Sequence, residues 1–179
     1  DIVPNHMGVL QADNAWWLDV LENGPASVYA DTFDIEWQPP APELAGKVLL
    51  PVLGDQYGAV LESGELQLAF DAEAGEFFVR YYDHRFPIDP VDYPAVFAAA
   101  PAPAALAATP DRHDDWVQLQ SLIDALGRLP ARDSADAHAR AIRHRDRSIH
   151  KRRLARLHAR LPELGTWVDA CLSAFNGVR

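Results

Sequence analysis

Three polar side chains at the start of the chain have the types and spacing that sugar chemistry uses. Asp1, Asn5 and His6 lie on either side of the short apolar stretch Ile2 and Val3. An apolar strand that delivers such residues at its carboxyl end is typical of a sugar site on a barrel fold. The Asp and His can hydrogen-bond ring hydroxyls, while the Asn can fix the loop backbone or bind a cation. The alternative is an ordinary strand end with three polar residues.

Tryptophans further along the chain are a second set of candidates for sugar binding. A flat aromatic face suits the apolar face of a pyranose, so Trp16, Trp17 and Trp37 can stack on glucose rings. Paired tryptophans at the start of a helix also suit a packed core. Both interpretations stay open for Trp16 and Trp17.

Asp83, His84 and Arg85 are a third candidate group, at the end of a predicted strand. They either reach the rim of an active site or form salt bridges at the strand end. No phosphate-binding loop, Gly-x-Ser-x-Gly turn or cysteine cluster accompanies them in the sequence.

Charge is divided unevenly along the chain. Residues 1–110 hold 17 acidic and 3 basic side chains, whereas residues 111–179 hold 9 acidic and 13 basic ones. The acidic first part disfavours nucleic acid and anionic membranes as partners. The basic stretch 140–160 has charges nearly all round a helix and no aromatic residues between them, unlike a nucleic-acid platform. We expect this helix to face water or to dock on the acidic part.

Neither metal nor other cofactor is expected from the sequence. His138, His144 and His150 are six residues apart, about 240° round a helix, so they share no metal-binding face. The single cysteine, Cys171, excludes an internal disulfide and favours a reducing, cytoplasmic location. No apolar stretch approaches the ~20 residues needed to span a bilayer, so no membrane partner is expected.

Local patterns predict an α+β fold in three parts. Residues 1–24 read as the end of a strand, a polar loop and a short helix, which Asp13 or Asn14 caps and Gly24 ends. Residues 25–90 read as a small α/β subdomain, and residues 91–179 as a helical subdomain. Within the second part, residues 65–82 alternate with period two on both sides of a turn that ends in Gly75, which predicts a β-hairpin.

Three further elements follow from periodicity. Residues 48–50 form a short apolar run that predicts a buried strand, and residues 56–63 read as a helix. Residues 134–161 predict one long helix, although Arg153 and Arg160 interrupt its apolar face and leave a break as the alternative. The side chains expected on its apolar face are Ile142, Ile149, Leu154, Leu157 and Leu161.

Longer motifs resemble one enzyme family. The pattern Asp-x-x-x-Asn-His of residues 1–6 resembles the first signature block of the α-amylase clan of glycoside hydrolases. Residues 14–25, 33–37, 46–54 and 81–88 are, in order and spacing, similar to the maltooligosyltrehalose synthase family of that clan. The resemblance is strong over the first 90 residues and looser afterwards.

The resemblance implies a fold and an activity. The chain would be an internal piece of a (β/α)8 barrel enzyme, namely a barrel strand end followed by an insertion. The family isomerises the reducing-end α-1,4 linkage of a maltooligosaccharide to α,α-1,1. Asp1 and His6 would line the subsite of the reacting glucose, and Asn5 would support their loop. The family's nucleophile and acid/base, two carboxyls about 5 Å apart, would come from later strands, so this chain would hold no catalytic residue. The rivals are an amylase-type hydrolase and a stand-alone helical binding module.

Overall fold

The computed structural model describes residues 14–104 and 113–177 of the 179-residue chain. The α-helices of the described residues are α1 (Ala15–Asn23), α2 (Tyr57–Glu62), α3 (Tyr93–Phe97), α4 (His113–Gly127), α5 (Ala137–Arg160) and α6 (Pro162–Phe175). One antiparallel sheet contains β1 (Gln67–Asp71), β2 (Glu76–Tyr81) and β3 (His84–Pro87), in that spatial order. The described part of the chain is thus a mixture of helices and a small antiparallel sheet.

Helix α1 begins and ends where the sequence predicts. The side-chain oxygen of Asn14 accepts a hydrogen bond from the backbone N–H of Trp17 at 3.1 Å, which caps the first turn. Gly24 follows the helix with φ of 53°, a left-handed conformation that glycine adopts at low cost. Trp17 and Val20 are buried on the inner side of the helix. Cap and glycine together fix the length of α1.

The predicted hairpin is confirmed as β1 and β2. Leu68 lies opposite Val79 and Phe70 lies opposite Phe77, so the alternating apolar residues share one side of the sheet. Gly75 closes the turn with φ of 69°. The period-two pattern and the glycine were sufficient to place both strands.

The sequence pattern does not predict the third strand, β3. It assigns Tyr82 to the second strand, but Tyr82 has φ of 48° and forms with Asp83 the turn into β3. Strand β3 pairs antiparallel with β2, with Tyr81 opposite His84. Its four residues alternate too little in hydrophobicity to be recognised without the neighbouring strand.

One face of the sheet is apolar and the other is charged. Phe77 is fully buried, and Leu68 and Phe70 beside it pack against the large apolar cluster that we call the main core. The residues of the main core are Phe77, Tyr93, Val96, Phe97, Leu119, Leu122, Leu126, Leu129, Leu154, Leu157, Leu161, Leu164, Trp167, Val168 and Cys171. The opposite face of the sheet carries Asp71, Glu76, Phe78 and Arg85. The sheet therefore separates the main core from a polar region.

The last helix reaches the outer edge of β1 through one side chain. The N–H of Leu68 donates to Asn176 Oδ1 at 2.8 Å, and Asn176 Nδ2 donates to the carbonyl oxygen of Leu68 at 2.9 Å. Asn176 lies just after α6, so this pair of hydrogen bonds joins the end of the helical part to the sheet.

Helix α5 confirms the predicted long helix but not its predicted inner face. It is continuous, and the side chain of Asp136 caps it by accepting from the N–H of His138 at 2.9 Å. Leu154, Leu157 and Leu161 are buried as expected. Ile149, however, is 39% exposed, whereas the cationic side chains Arg143, Arg147 and Lys151 are buried. The expectation for the first half of the helix was wrong because carboxylates, not apolar groups, face it.

The predicted strand at residues 48–50 is also wrong. These residues have irregular backbone, and Leu49 is 79% exposed. No β-strand partner adjoins this segment in the described residues, so its apolar run does not become part of the sheet. A short apolar run without alternation predicts burial poorly.

Candidate functional site

A polar site lies between α1, α5 and the charged face of the sheet. Asp19 and Glu22 are three residues apart and therefore share one side of α1. Arg147 and Lys151 are four residues apart and share one side of α5. The two sides face each other with opposite charges. We call these four residues, with Glu76 of β2, the ion-pair cluster.

The cluster is joined by direct hydrogen bonds. Arg147 Nη1 donates to Glu22 Oε1 at 2.9 Å, and Arg147 Nη2 donates to Asp19 Oδ2. Lys151 Nζ donates to Glu22 Oε2 and, at 3.1 Å, to Glu76 Oε2. The side chains of Glu22, Arg147 and Lys151 are only 5%, 11% and 9% exposed. The charges of Glu22, Arg147 and Lys151 are therefore largely removed from water, and each has an oppositely charged partner.

Arg143 extends the same side of α5 by one turn and is 1% exposed. Its Nε donates to Asn23 Oδ1 at 3.1 Å, its Nη1 to the carbonyl oxygen of Pro130 at 2.7 Å, and its Nη2 to Asp89 Oδ1 at 2.7 Å. A guanidinium group offers donors in several directions, which suits it to join three separate segments. Arg143 thus ties the C-terminal end of α1 to the helical part.

Buried charges of this kind are costly unless every charge has a partner. Moving a pair of ions out of water offsets most of their mutual attraction, whereas removing one partner destabilises by about 3–5 kcal/mol. The cluster is therefore better understood as fixing one arrangement of α1, α5 and β2 than as a large net source of stability. The basic helix is docked on acidic groups of its own chain, which is one of the two outcomes that the sequence analysis left open.

A cavity of about 360 Å³ opens beside the cluster, and we call it the charged cavity. Asp19, Glu22, Glu76, Arg147 and Lys151 line one part of it. The remaining lining residues are Ala15, Leu18, Asp71, Arg85 and Pro87. The cavity therefore combines hydrogen-bonding charged groups with a small apolar wall.

Asp71 and Arg85 form a second ion pair at this cavity. Arg85 Nη1 donates to Asp71 Oδ2 at 3.0 Å, and the guanidinium carbon lies 4.0 Å from the centroid of the Phe78 ring. The N–H groups of Ala74 and Glu73 donate to Asp71 Oδ1. The hydrogen bond from Ala74, together with Arg85, holds the pKa of the Asp71 carboxyl below its usual value, although burial opposes the shift. Asp71 is consequently an ionised acceptor and not a proton donor near neutral pH.

The tryptophans predicted to bind sugar have different environments. Trp17 is 7% exposed and its ring meets that of Phe33 edge-on at 5.0 Å, so it belongs to the local packing. Trp16 is 46% exposed and stacks on Tyr29, with ring centroids 5.0 Å apart and planes 9° from parallel. Trp37 is half-buried in irregular backbone. Trp16 alone of the three combines high exposure with a stacked ring partner. Asp1, Asn5 and His6 lie outside the described residues.

Asp83, His84 and Arg85 do not form one group. Asp83 is exposed in the turn after β2. His84 lies between the rings of Tyr81 and Phe86, at centroid distances of 6.4 and 5.8 Å, on the face opposite Arg85. The salt-bridge interpretation is therefore correct for Arg85, and strand alternation separates it from His84.

Sequence reasoning missed the residues of the ion-pair cluster. A usable signal exists in the basic residues 143, 147 and 151, which repeat every four positions, and in the acidic pair 19 and 22. Two complementary charged sides in a chain with opposite charge in its two parts favour an internal ionic contact. The sequence does not show, however, that these two segments lie next to each other in the folded chain.

Two general properties complete the description of the site. Among the described residues, no group of three or more His, Cys, Asp or Glu is arranged to hold a metal ion. In the same part of the chain, no helix is long and apolar enough to cross a membrane.

Part of this chain is similar in sequence to curated proteins. Two curated proteins of Mycobacterium tuberculosis, from strains CDC 1551 / Oshkosh and ATCC 25618 / H37Rv, are each 41% identical to it over 86 residues. Both are named "Putative maltooligosyl trehalose synthase". The aligned region is 42% of this chain and 11% of each relative. No family model matches the chain. No solved structure matches it either.

These comparisons support the resemblance seen in the motifs for part of the chain. An identity of 41% over 86 residues relates that part to the two proteins with this name. The chain spans about a tenth of the length of those relatives. The activity of the whole protein is therefore a matter for proposal.

Proposed function

We propose that this chain is part of an enzyme that isomerises the reducing-end α-1,4 linkage of maltooligosaccharides to α,α-1,1 by intramolecular transglucosylation. The observation that carries the proposal is the 41% identity over 86 residues to relatives named maltooligosyl trehalose synthase. The described residues would be an insertion that follows the third strand of a (β/α)8 barrel. The carboxylates that act on the glycosidic bond would lie elsewhere in the enzyme.

Within this proposal the residues have separate tasks. Asp1 and His6 hydrogen-bond the reacting glucose, and Asn5 supports their loop. Helix α1 begins nine residues after His6, and the ion-pair cluster fixes that helix to α5 and β2. The proposal assigns to the insertion the task of holding the substrate loop in place, which matters because small misplacements of substrate-binding groups reduce turnover strongly.

The alternative of a stand-alone binding module is less well supported. Such a module would use the cations of the basic helix for an external partner. Arg143, Arg147 and Lys151 instead bind carboxylates and carbonyls of this same chain. The amylase-type hydrolase remains the rival within the enzyme class, and the names of the two relatives favour the isomerase.

Reducing ends distinguish the two enzyme activities in the complete enzyme. Isomerisation removes one reducing end per event and leaves the number of oligosaccharide molecules unchanged. Hydrolysis creates one reducing end per event. We expect reducing ends to fall on incubation with a maltooligosaccharide, while mass spectrometry shows an unchanged molecular mass. A rise in reducing ends with shorter products would establish the hydrolase instead.

His6→Ala in the complete enzyme tests the substrate loop. Loss of a hydrogen bond that forms mainly in the transition state reduces turnover by about 10²–10³-fold. His138, which is exposed on α5, supplies the matched control, and His138→Ala should leave turnover unchanged. Near-normal turnover by His6→Ala, at an unchanged melting temperature, would remove His6 from the reacting subsite. The isolated 179-residue chain should convert no maltooligosaccharide.

A further inference from the structure

The charged cavity has unused hydrogen-bonding groups next to an apolar wall. We propose that it binds one sugar unit of a neutral glucan, with Arg85 as hydrogen-bond donor and Glu76 as acceptor. The choice of a glucan as ligand rests on the proposed function. The cavity itself is defined by the geometry of α1, β2, β3 and α5.

Arg85 supplies the donors. A guanidinium group has five N–H donors. Among the described residues, the hydrogen bond that Arg85 makes is from Nη1 to Asp71, and its plane is held over the Phe78 ring. The Arg85 side chain is 28% exposed and lines the cavity. Its position is thus fixed by two contacts while further N–H groups stay available to a ligand.

Glu76 supplies the acceptor. Its Oε2 accepts from Lys151 Nζ at 3.1 Å, and its side chain is 26% exposed. Within the described part of the chain, its Oε1 accepts no hydrogen bond, although the residue lines the cavity. A sugar hydroxyl both donates and accepts, so one ring can use Glu76 and Arg85 together.

The lining favours a neutral ligand. Four carboxylates (Asp19, Glu22, Asp71 and Glu76) and three cations (Arg85, Arg147 and Lys151) line the cavity. Because both signs of charge lie within the same small volume, the attraction that an anion or a cation gains from one kind of group is offset by repulsion from the other. A polyhydroxylated neutral molecule can hydrogen-bond both kinds of group without this cost.

Size and shape agree with a sugar. A volume of about 360 Å³ is near the lower end of the ~300–1,000 Å³ found for small-molecule sites. Ala15, Leu18 and Pro87 give the cavity an apolar wall. A pyranose has apolar C–H faces and a polar rim, so its two kinds of surface match the two kinds of lining.

The experiment is a titration of the full 179-residue chain with maltose, followed by ¹H–¹⁵N NMR. We expect saturable shifts of the Arg85 side-chain Nε–H and of backbone amides around Ala15 and Leu18. Arg85→Lys keeps the positive charge beside Asp71 but removes the forked donors. It should weaken binding about tenfold, the equivalent of one charge-assisted hydrogen bond.

A blocking variant provides the second arm. Ala15 is exposed at the mouth of the cavity, so Ala15→Phe fills it without removing any member of the ion-pair cluster. Ala141→Phe, at an exposed position of α5 outside the cavity lining, is the matched control. We expect Ala15→Phe to abolish the maltose shifts and Ala141→Phe to keep them. Absence of saturable shifts in the unmodified chain, or equal binding by both variants, would overturn the proposal.

The reducing-end assay on the complete enzyme separates this inference from the proposed function. If reducing ends fall as expected but maltose leaves the cavity amides unshifted, the cavity proposal alone fails. If reducing ends rise while maltose binds in the cavity, the cavity proposal stands and the isomerase proposal fails.

Discussion

Helix α5 buries one side from Arg143 onward, but the two halves of that side use opposite chemistry. In the first half, Arg143 and Arg147 face carboxylates and carbonyls. In the second half, Leu154 and Leu157 on the same side enter the main core. The kind of side chain that is buried on a helix therefore depends on the groups packed against it. One side of a single helix can be packed through ion pairs at one end and through apolar contacts at the other.

The two halves also differ in the reason why a substitution lowers the free energy of unfolding. A leucine removed from the core loses transfer free energy and leaves a cavity, for a cost of about 2–5 kcal/mol. A partner removed from a buried ion pair leaves an uncompensated charge, for a cost of about 3–5 kcal/mol. Salt screening weakens neither half strongly, because the apolar contacts involve no charges and burial limits the screening of the ion pairs.

The largest effect on the free energy of unfolding is expected at Gly75, where the turn between β1 and β2 packs against the middle of α5. A Cβ on Gly75 would lie 2.1 Å from the Lys151 carbonyl oxygen and 2.8 Å from the Ala155 nitrogen, at φ of 69°. Gly75→Ala should therefore lower the free energy of unfolding by about 4 kcal/mol, through overpacking and left-handed strain. Gly64→Ala is the control, since Gly64 has φ of 74° but no atom within 4 Å of the added Cβ. Its cost should be only about 1–2 kcal/mol in urea unfolding. Equal costs for both variants would show that the turn is not packed on α5.

The next prediction compares the two halves directly. Glu22→Ala leaves Arg147 with Asp19 and Lys151 with Glu76, so its expected cost is about 3 kcal/mol, at the lower end for a buried pair. Leu154→Ala in the apolar half should cost a similar amount. Glu22→Ala combined with Lys151→Met should recover part of the loss, because it also removes the cation that has lost one of its two carboxylate partners. The comparison breaks if the double variant is less stable than Glu22→Ala alone.

A smaller effect is expected at Asp71, and it depends on pH. The folded state lowers the pKa of this carboxyl, so its contribution to stability is present above the ordinary pKa of about 4. That contribution is lost as pH falls through the lowered pKa. Asp71→Asn should therefore destabilise at about pH 7, while its difference from the unmodified chain shrinks toward about pH 2–3. Urea unfolding at both pH values measures this, and a pH-independent difference would contradict it.

The smallest effect is expected at an exposed ion pair of α5. Arg160 pairs with Asp115, but the arginine side chain is 58% exposed. Arg160→Ala should cost at most about 1 kcal/mol, and the difference should disappear near 1 M salt. If Arg160→Ala lowered the free energy of unfolding as much as Glu22→Ala does, buried and exposed ion pairs would contribute equally to stability, contrary to the prediction.

Local signals were sufficient for the elements that local interactions determine. Asn14 and Gly24 mark the two ends of α1, and the period-two pattern with Gly75 predicts the hairpin. The inner face of α5 could not be predicted in the same way. Hydrophobic patterning assumes that buried side chains are apolar, but Glu22 and Lys151 meet across 129 positions of sequence.

The candidate site was predictable only in part, for a related reason. Residue type indicated Trp16, Trp17 and Trp37 as candidates for stacking on a sugar, but it could not tell which of them are exposed. The charged cavity depends on α1, β2, β3 and α5 coming together, and β3 has no recognisable strand pattern of its own. Asp83, His84 and Arg85 looked like one group because they are consecutive, whereas the pleat places His84 and Arg85 on opposite faces.

The hydrogen bonds between Asn176 and Leu68 also have a consequence for association. Strand β1 lies at the edge of the sheet, and an unpaired edge is a template for adding a strand from another molecule. The amide of Asn176 donates to and accepts from the same residue of β1, as a neighbouring strand would. One side chain thus occupies the outward-facing backbone groups of Leu68 and protects this edge against intermolecular β-pairing.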